Sequence, residues 1–180
     1  MTFTLAGRLQ TRLALLSSVG VLWTLIVSLP LAWVSGVSPR LAYRVTLETA
    51  IAVILFGLVW ELVYHGLQQL RWDKDWPALL GLVTFFNEAV PIWVVLHALR
   101  LIPGRWGISS PILPLFATYL GTTWVLVWLV LQGPLRMVVP RWRFEGGTFS
   151  RRGASDLTVF FVVTNIGMIL ALATLWVAWN

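Results

Sequence analysis

Thr84-Phe85-Phe86-Asn87-Glu88-Ala89-Val90-Pro91 places an amide, a carboxylate and a proline in the middle of an apolar run that extends from Leu79 to Leu96. An ionisable side chain near the centre of a bilayer costs at least about 2.5–3.5 kcal/mol, so it normally faces other protein or a water-filled cavity. We therefore expect Glu88 to point toward neighbouring helices. Because Pro91 has no N–H group, the carbonyl of Asn87 loses its helical donor and lies beside this carboxyl group. The pattern predicts either a proton or cation site or a hydrogen-bonded contact between helices.

The composition of the whole chain is that of a multi-pass membrane protein. Of the 180 residues, 58% are hydrophobic and 11% are charged, whereas soluble domains carry about 25% charged residues. Long apolar runs leave no room for a soluble domain, so residues 1–180 are expected to form a single integral membrane domain. Lys74 is the only lysine among thirteen basic residues, which is typical of a GC-rich bacterial genome. We therefore expect the protein in the bacterial inner (cytoplasmic) membrane.

The apolar runs predict an all-α bundle of about five transmembrane helices. Two of the helices begin with a capping serine followed by proline, at Ser38-Pro39 and Ser110-Pro111. The longest loop precedes the last predicted helix and is rich in arginine. The predicted spans are residues 13–34, 45–67, 78–101, 111–132 and 156–179, and the basic loop is 133–155.

The distribution of basic residues predicts a cytoplasmic N-terminus and an outer C-terminus. With this orientation nine basic residues lie inside, five of them in the loop 133–155, and four lie outside. Cytoplasmic loops carry the excess of Lys and Arg in membrane proteins. The other inner residues are Arg8, Arg12, Arg71 and Lys74, and the outer ones are Arg40, Arg44, Arg100 and Arg105.

Polar residues on three of the predicted helices reach a similar depth. At about 1.5 Å of rise per residue, Glu88 lies about 16 Å from Pro77, Asn165 about 13 Å from Asp156, and Glu61 about 10 Å from Gln68. These depths predict an intramembrane polar belt formed by Glu61, Asn87, Glu88 and Asn165, which is the candidate proton or ion site.

The two histidines do not predict a metal or haem centre. His65 and His97 lie near opposite membrane surfaces, too far apart to be the paired axial ligands of one haem. Glu61 and His65, four residues apart, form a candidate surface pair of a histidine and a carboxylate, but two ligands leave a metal site incomplete. The chain has no cysteine. We expect no metal and no cofactor.

The basic loop predicts a surface for anionic lipid head groups or for a partner protein. Arginine alternates with aromatic residues there, which suits a segment at the membrane surface, although an orientation signal alone would produce the same charge. Nucleic acid is not an expected partner. The residues concerned are Arg136, Arg141, Trp142, Arg143, Arg151 and Arg152.

No catalytic motif of the serine hydrolase, zinc protease or nucleotide-binding kind occurs in the sequence, so we do not expect an enzyme. The leading hypothesis is a non-catalytic accessory or structural subunit of a larger membrane complex, packing through polar and tryptophan-rich helix faces. The alternatives are a small ion- or proton-coupled transporter or channel that uses Glu88, and a membrane enzyme of unrecognised type acting on lipid.

Overall fold

The computed structural model describes residues 4–70, 80–103, 110, 112–139, 142, 144–149, 166 and 173, and within these residues every regular element is helical. The first helical stretch consists of α1 (Leu5–Leu15), a π-helical segment (Leu16–Gly20) and α2 (Val21–Ser35). The following helices are α3 (Pro39–Gln69), α4 (Leu80–Ala98), α5 (Ile112–Gln132) and the short α6 (Pro134–Val138).

Four helical stretches in the described part of the chain are long and apolar enough to cross a membrane: Leu5–Ser35, Pro39–Gln69, Gly81–Ala98 and Ile112–Val138. The prediction of an all-α, multi-pass membrane protein is confirmed at this level. The predicted fifth span, 156–179, lies outside the described residues except for Ile166 and Ala173, both helical. The fifth span and the orientation in the membrane stay predictions.

The first helix begins earlier than the apolar pattern predicts. Thr4 is its N-cap and accepts a hydrogen bond from the Gly7 amide at 3.1 Å, so the helix contains Arg8 and Arg12 instead of following them. Helical geometry continues through these polar residues because both arginines have partners on the next helices, as described below.

A π-helical segment interrupts the first helix at Leu16–Gly20. Within it, the hydroxyl groups of Ser17 and Ser18 donate to the carbonyls of Leu13 and Ala14 in the preceding turn. A π-bulge adds a residue to one helical turn and so changes which side of the helix faces a given neighbour. The polar residues of α1 and those of α2 therefore face different neighbouring residues.

The α3 helix is the central element, since it contacts α1, α2, α4 and α5. It forms an antiparallel hairpin with the first helix: Gly36 ends α2 with a positive φ of 66°, and Ser38 caps α3 by accepting from the Leu41 amide. The predicted helix start at Ser38-Pro39 is confirmed. Toward this end of the hairpin, the Ser28 and Thr46 hydroxyls lie 2.7 Å apart.

The α4 and α5 helices complete the described bundle and also run antiparallel. Trp93 and Phe116 pack with ring centroids 4.8 Å apart, and near the opposite end the Trp124 indole donates to the Gly81 carbonyl at 2.8 Å. The Tyr119 hydroxyl joins α5 to Thr24 of α2 at 2.7 Å. A second group of polar residues lies toward the end of the bundle where α1 begins, and it is described next.

A candidate site built from buried ion pairs

Glu88 of α4 is fully buried, with 0% of its surface exposed, and its carboxylate is bound by an arginine of the first helix. Arg12 Nη1 donates to Glu88 Oε1 at 3.0 Å, and Arg12 Nη2 donates to Oε2. Two parallel N–H···O bonds are the preferred geometry for a guanidinium and a carboxylate. The partner of Glu88 is therefore a cation from the same chain.

Glu61 of α3 shares the same guanidinium. Its Oε1 accepts from Arg12 Nη1 at 3.2 Å, and its Oε2 accepts from Arg8 Nη1 at 3.4 Å. Arg8 also donates through Nη2 to Gln68 Oε1 at 2.9 Å. We call Arg8, Arg12, Glu61 and Glu88 the charge cluster. It contains two cations and two anions, which balance each other.

The absence of a side chain at Gly57 makes room for Arg12. A Cβ atom at residue 57 would lie 1.8 Å from Arg12 Nε, so any larger residue there would force the Arg12 side chain to shift from this position. On the other side, the Arg12 guanidinium carbon lies 5.5 Å from the centroid of a Trp124 ring, within the range of a cation–π contact. Arg12 is therefore held between three helices, with about a tenth of its side chain exposed.

The cluster lies at one level of the bundle. At about 1.5 Å per residue, Arg12 is about 10 Å from the start of α1, and Glu61 and Glu88 are about 12 Å from the nearby ends of α3 and α4. The side chains of Arg12, Glu61 and Glu88 are only 10%, 13% and 0% exposed, so protein surrounds all three charges. The charges therefore depend on each other for solvation.

Two further polar residues flank the cluster: Tyr64, which the predicted belt does not include, and Asn87, which it does. Tyr64 is buried on α3 with its hydroxyl next to Asn87 and Glu88. Asn87 lies on the exposed side of α4. Asn165, the remaining member of the predicted belt, lies outside the described residues. The structure thus brings Glu61 and Glu88 together and leaves Asn87 at the edge of their site.

The structure gives Glu61 and His65 of the candidate surface pair other partners. Glu61 is bound by Arg8 and Arg12, and His65 Nε2 lies 3.5 Å from Gln69 Nε2 instead. The sequence argument paired the two residues because they are four apart on one helix. The guanidinium groups give the carboxylate stronger partners than an imidazole at the helix surface.

Trp142 of the basic loop, a predicted lipid- or partner-binding residue, faces the interior of the protein. Its side chain is fully buried, and its indole donates to the Thr11 hydroxyl of α1 at 2.8 Å. Thr11 donates in turn to the Gly147 carbonyl at 3.0 Å, and Thr4 and Gln10 bind the backbone of Gly146 and Phe149. This part of the loop packs on the first helix because α1 offers it a row of polar side chains.

The arginines of the same loop divide between described and undescribed residues. Arg136 is half-buried within α6, so the helical region extends to Val138, beyond the predicted loop start at 133. The predicted lipid- or partner-binding residues Arg141, Arg143, Arg151 and Arg152 lie outside the described residues.

Sequence reasoning missed both arginines of the cluster and a second ion pair. Arg8 and Arg12 precede an apolar run and were assigned to the membrane surface. Yet Gly36 lies about equally far along the chain from Arg12 and from Glu61, and this signal predicts that they meet across an antiparallel hairpin. Elsewhere on α3, Arg44 Nε donates to the buried Glu48 at 3.1 Å, a pair whose four-residue spacing was visible in the sequence.

The arrangement is chemically suited to holding helices together. Among the residues that the structure describes, no three histidine, aspartate or glutamate side chains come together as metal ligands. The charge cluster joins α1, α3 and α4 by charge-assisted hydrogen bonds, and α5 contributes the Trp124 ring. Comparisons with family models, curated proteins and solved structures find no match to this chain.

Proposed function

We propose that this chain is a non-catalytic accessory or structural subunit of a larger membrane protein complex in the bacterial inner membrane. The observation that carries the proposal is the pairing of both carboxylates in the charge cluster with arginines of the same chain. The carboxylates of Glu61 and Glu88 thus form ion pairs between helices of this chain. Such a bundle is a framework with fixed outer faces, on which other subunits can assemble.

The energetics of buried ion pairs agree with a framework role. Removing one partner of such a pair costs about 3–5 kcal/mol, because the other charge is left without compensation. Replacing both partners by apolar residues of similar size is often neutral or even stabilising. A buried pair therefore determines which helices become neighbours, and in which register, more than it adds to stability.

A small proton- or ion-coupled transporter that uses Glu88 is the second candidate. It is favoured by the sharing of Arg12 between Glu61 and Glu88, which come from different helices. Protonation of one carboxylate would leave the guanidinium to the other, and such a change of partner is the kind of step that proton-coupled transporters use.

The two candidates make different predictions for the double variant Arg12→Met with Glu88→Leu. This variant keeps the Arg8–Glu61 pair and removes one cation and one anion together. For a structural subunit, we expect Glu88→Gln alone to lower the melting temperature in detergent, because Arg12 loses one of its two anionic partners and keeps only Glu61. The double variant should recover most of that loss and should migrate with the same partner proteins as the unmodified chain.

The measurement is mild extraction from native membranes, native-gel separation and mass spectrometry of the proteins that migrate with the chain. Stoichiometric partners retained by the double variant support the structural subunit. Migration without other proteins, together with proton flux in liposomes that Glu88→Gln and the double variant both abolish, would overturn it in favour of the transporter.

A further inference from the structure

The outer face of α4 carries a second pattern, which the charge cluster does not use. Of the four spans in the described part of the chain, α4 has the smallest buried share. Val83, Asn87, Val90 and Val94 are all exposed on it. Val83 and Val90 are seven residues apart, as are Asn87 and Val94, so the spacings of four, three and four match alternating a and d positions of the seven-residue repeat of a left-handed coiled coil. We call these four residues the α4 seam.

Asn87 is the polar member of the α4 seam and lies near the middle of the span. The Tyr64 hydroxyl next to it accounts for at most one of the hydrogen bonds that an amide can make. Pro91 also deprives the Asn87 carbonyl of its helical donor. Hydrocarbon offers no hydrogen bonds, so these groups gain from a polar partner at the same depth.

The chemistry of the seam fits a second copy of the same chain. An amide is both donor and acceptor, so two asparagines related by a twofold axis can satisfy each other. Copies inserted in one orientation pair their α4 helices in parallel, which brings Asn87 opposite Asn87 and Val90 opposite Val90. A single asparagine among apolar core positions is a known determinant of register in parallel two-stranded coiled coils.

We infer that two copies of this chain associate in the membrane through the α4 seam, with their Asn87 side chains hydrogen-bonded across a twofold axis. The inference goes beyond the proposed function, because a dimer would serve a structural subunit and a transporter equally.

Single-cysteine variants test the interface directly, because the natural chain has no cysteine. Val90 is 65% exposed on the seam, and Val59 is 61% exposed on the outer side of α3, so the two make a matched pair. We expect Val83→Cys and Val90→Cys to form disulfide-linked dimers on mild oxidation in native membranes. Val59→Cys should stay monomeric under the same conditions.

The role of Asn87 is tested separately by energy transfer between differently labelled copies diluted in liposomes. Asn87→Leu should weaken dimerisation about three- to twentyfold, the range for one interhelical hydrogen bond in a membrane. Val59→Leu should leave the affinity unchanged.

Three results would overturn the inference. One is equal cross-linking of Val59→Cys and Val90→Cys, which indicates random collision. Another is a monomeric chain in which the double variant Val90→Cys with Ile166→Cys forms a disulfide within one molecule. That result would mean that another part of the same chain covers the α4 seam. The third is a cross-link from Val90→Cys to a different protein in place of a second copy. None of these results concerns the charge cluster. The proposed function is therefore tested separately from the dimer.

Discussion

At the scale of single residues, the arginine at the centre of the charge cluster depends on a glycine opposite it. Arg12 crosses α3 at Gly57, and its guanidinium also donates to the Val53 carbonyl at 3.4 Å. A methyl group at residue 57 would displace the side chain from its carboxylate partners. The large Arg12 side chain thus packs against glycine, the smallest residue type, on α3.

We predict that Gly57→Ala destabilises the bundle by about 1–3 kcal/mol, the usual cost of overpacking a filled interior. The measurement is the melting temperature of the purified protein in detergent. Gly66→Ala is the control: it lies on the same helix, and a Cβ atom there meets no atom within 4 Å. Alanine favours helix over glycine, so this control should match or exceed the stability of the unmodified chain. Equal behaviour of the two variants would contradict the described path of Arg12.

At the scale of elements, the first helix is where sequence reasoning and structure differ most. The α3, α4 and α5 helices follow apolar runs with ordinary starts, and Ser38-Pro39 identifies one start without reference to tertiary contacts. Hydropathy could not predict the extension of the first helix to Leu5, because the partners of Arg8 and Arg12 are distant in sequence. The apolar surroundings of Glu88 in the sequence are enough to make it a candidate site residue. Identifying Arg12 as its partner requires knowing which helices are neighbours.

The docking of the loop on α1 gives a prediction at the same scale. Trp142→Phe keeps a buried ring but removes the N–H that donates to Thr11. We expect it to lower the free energy of unfolding by about 1 kcal/mol, as is typical for the loss of one hydrogen bond. Thr11→Val should also destabilise the protein, by removing the bond to Gly147 as well.

The double variant of Thr11 and Trp142 distinguishes a direct contact from two independent effects. If the indole and the hydroxyl are bonded, the double variant should lose less than the sum of the two single losses, by about 0.5–1.5 kcal/mol. Additive losses would contradict a direct hydrogen bond between Trp142 and Thr11.

At the scale of the whole molecule, the membrane orientation predicted from the basic residues can be measured with two exposed leucines. Leu70 follows α3 and Leu99 follows α4, so they lie at opposite ends of the bundle. We expect an impermeant maleimide to label Leu99→Cys in intact cells and Leu70→Cys only after permeabilisation. The reverse labelling would invert the predicted orientation.

The same experiment extends to the predicted fifth span. With five spans and a cytoplasmic N-terminus, a tag placed after Asn180 should be accessible from outside the cell. If that tag is protected while Leu99→Cys is labelled, the segment 156–179 does not cross the membrane.

The charge cluster also has a consequence for the order of biogenesis. The ribosome delivers Arg8 and Arg12 first and Glu61 next, so in the newly inserted hairpin the charge cluster has one positive charge without an anionic partner. Only the arrival of Glu88 in the third span neutralises it. We expect a chain truncated between these two events to be less stable in the bilayer, because an unpaired charge within a membrane is costly. The charge cluster is therefore neutral only once the third span, which carries Glu88, has been made.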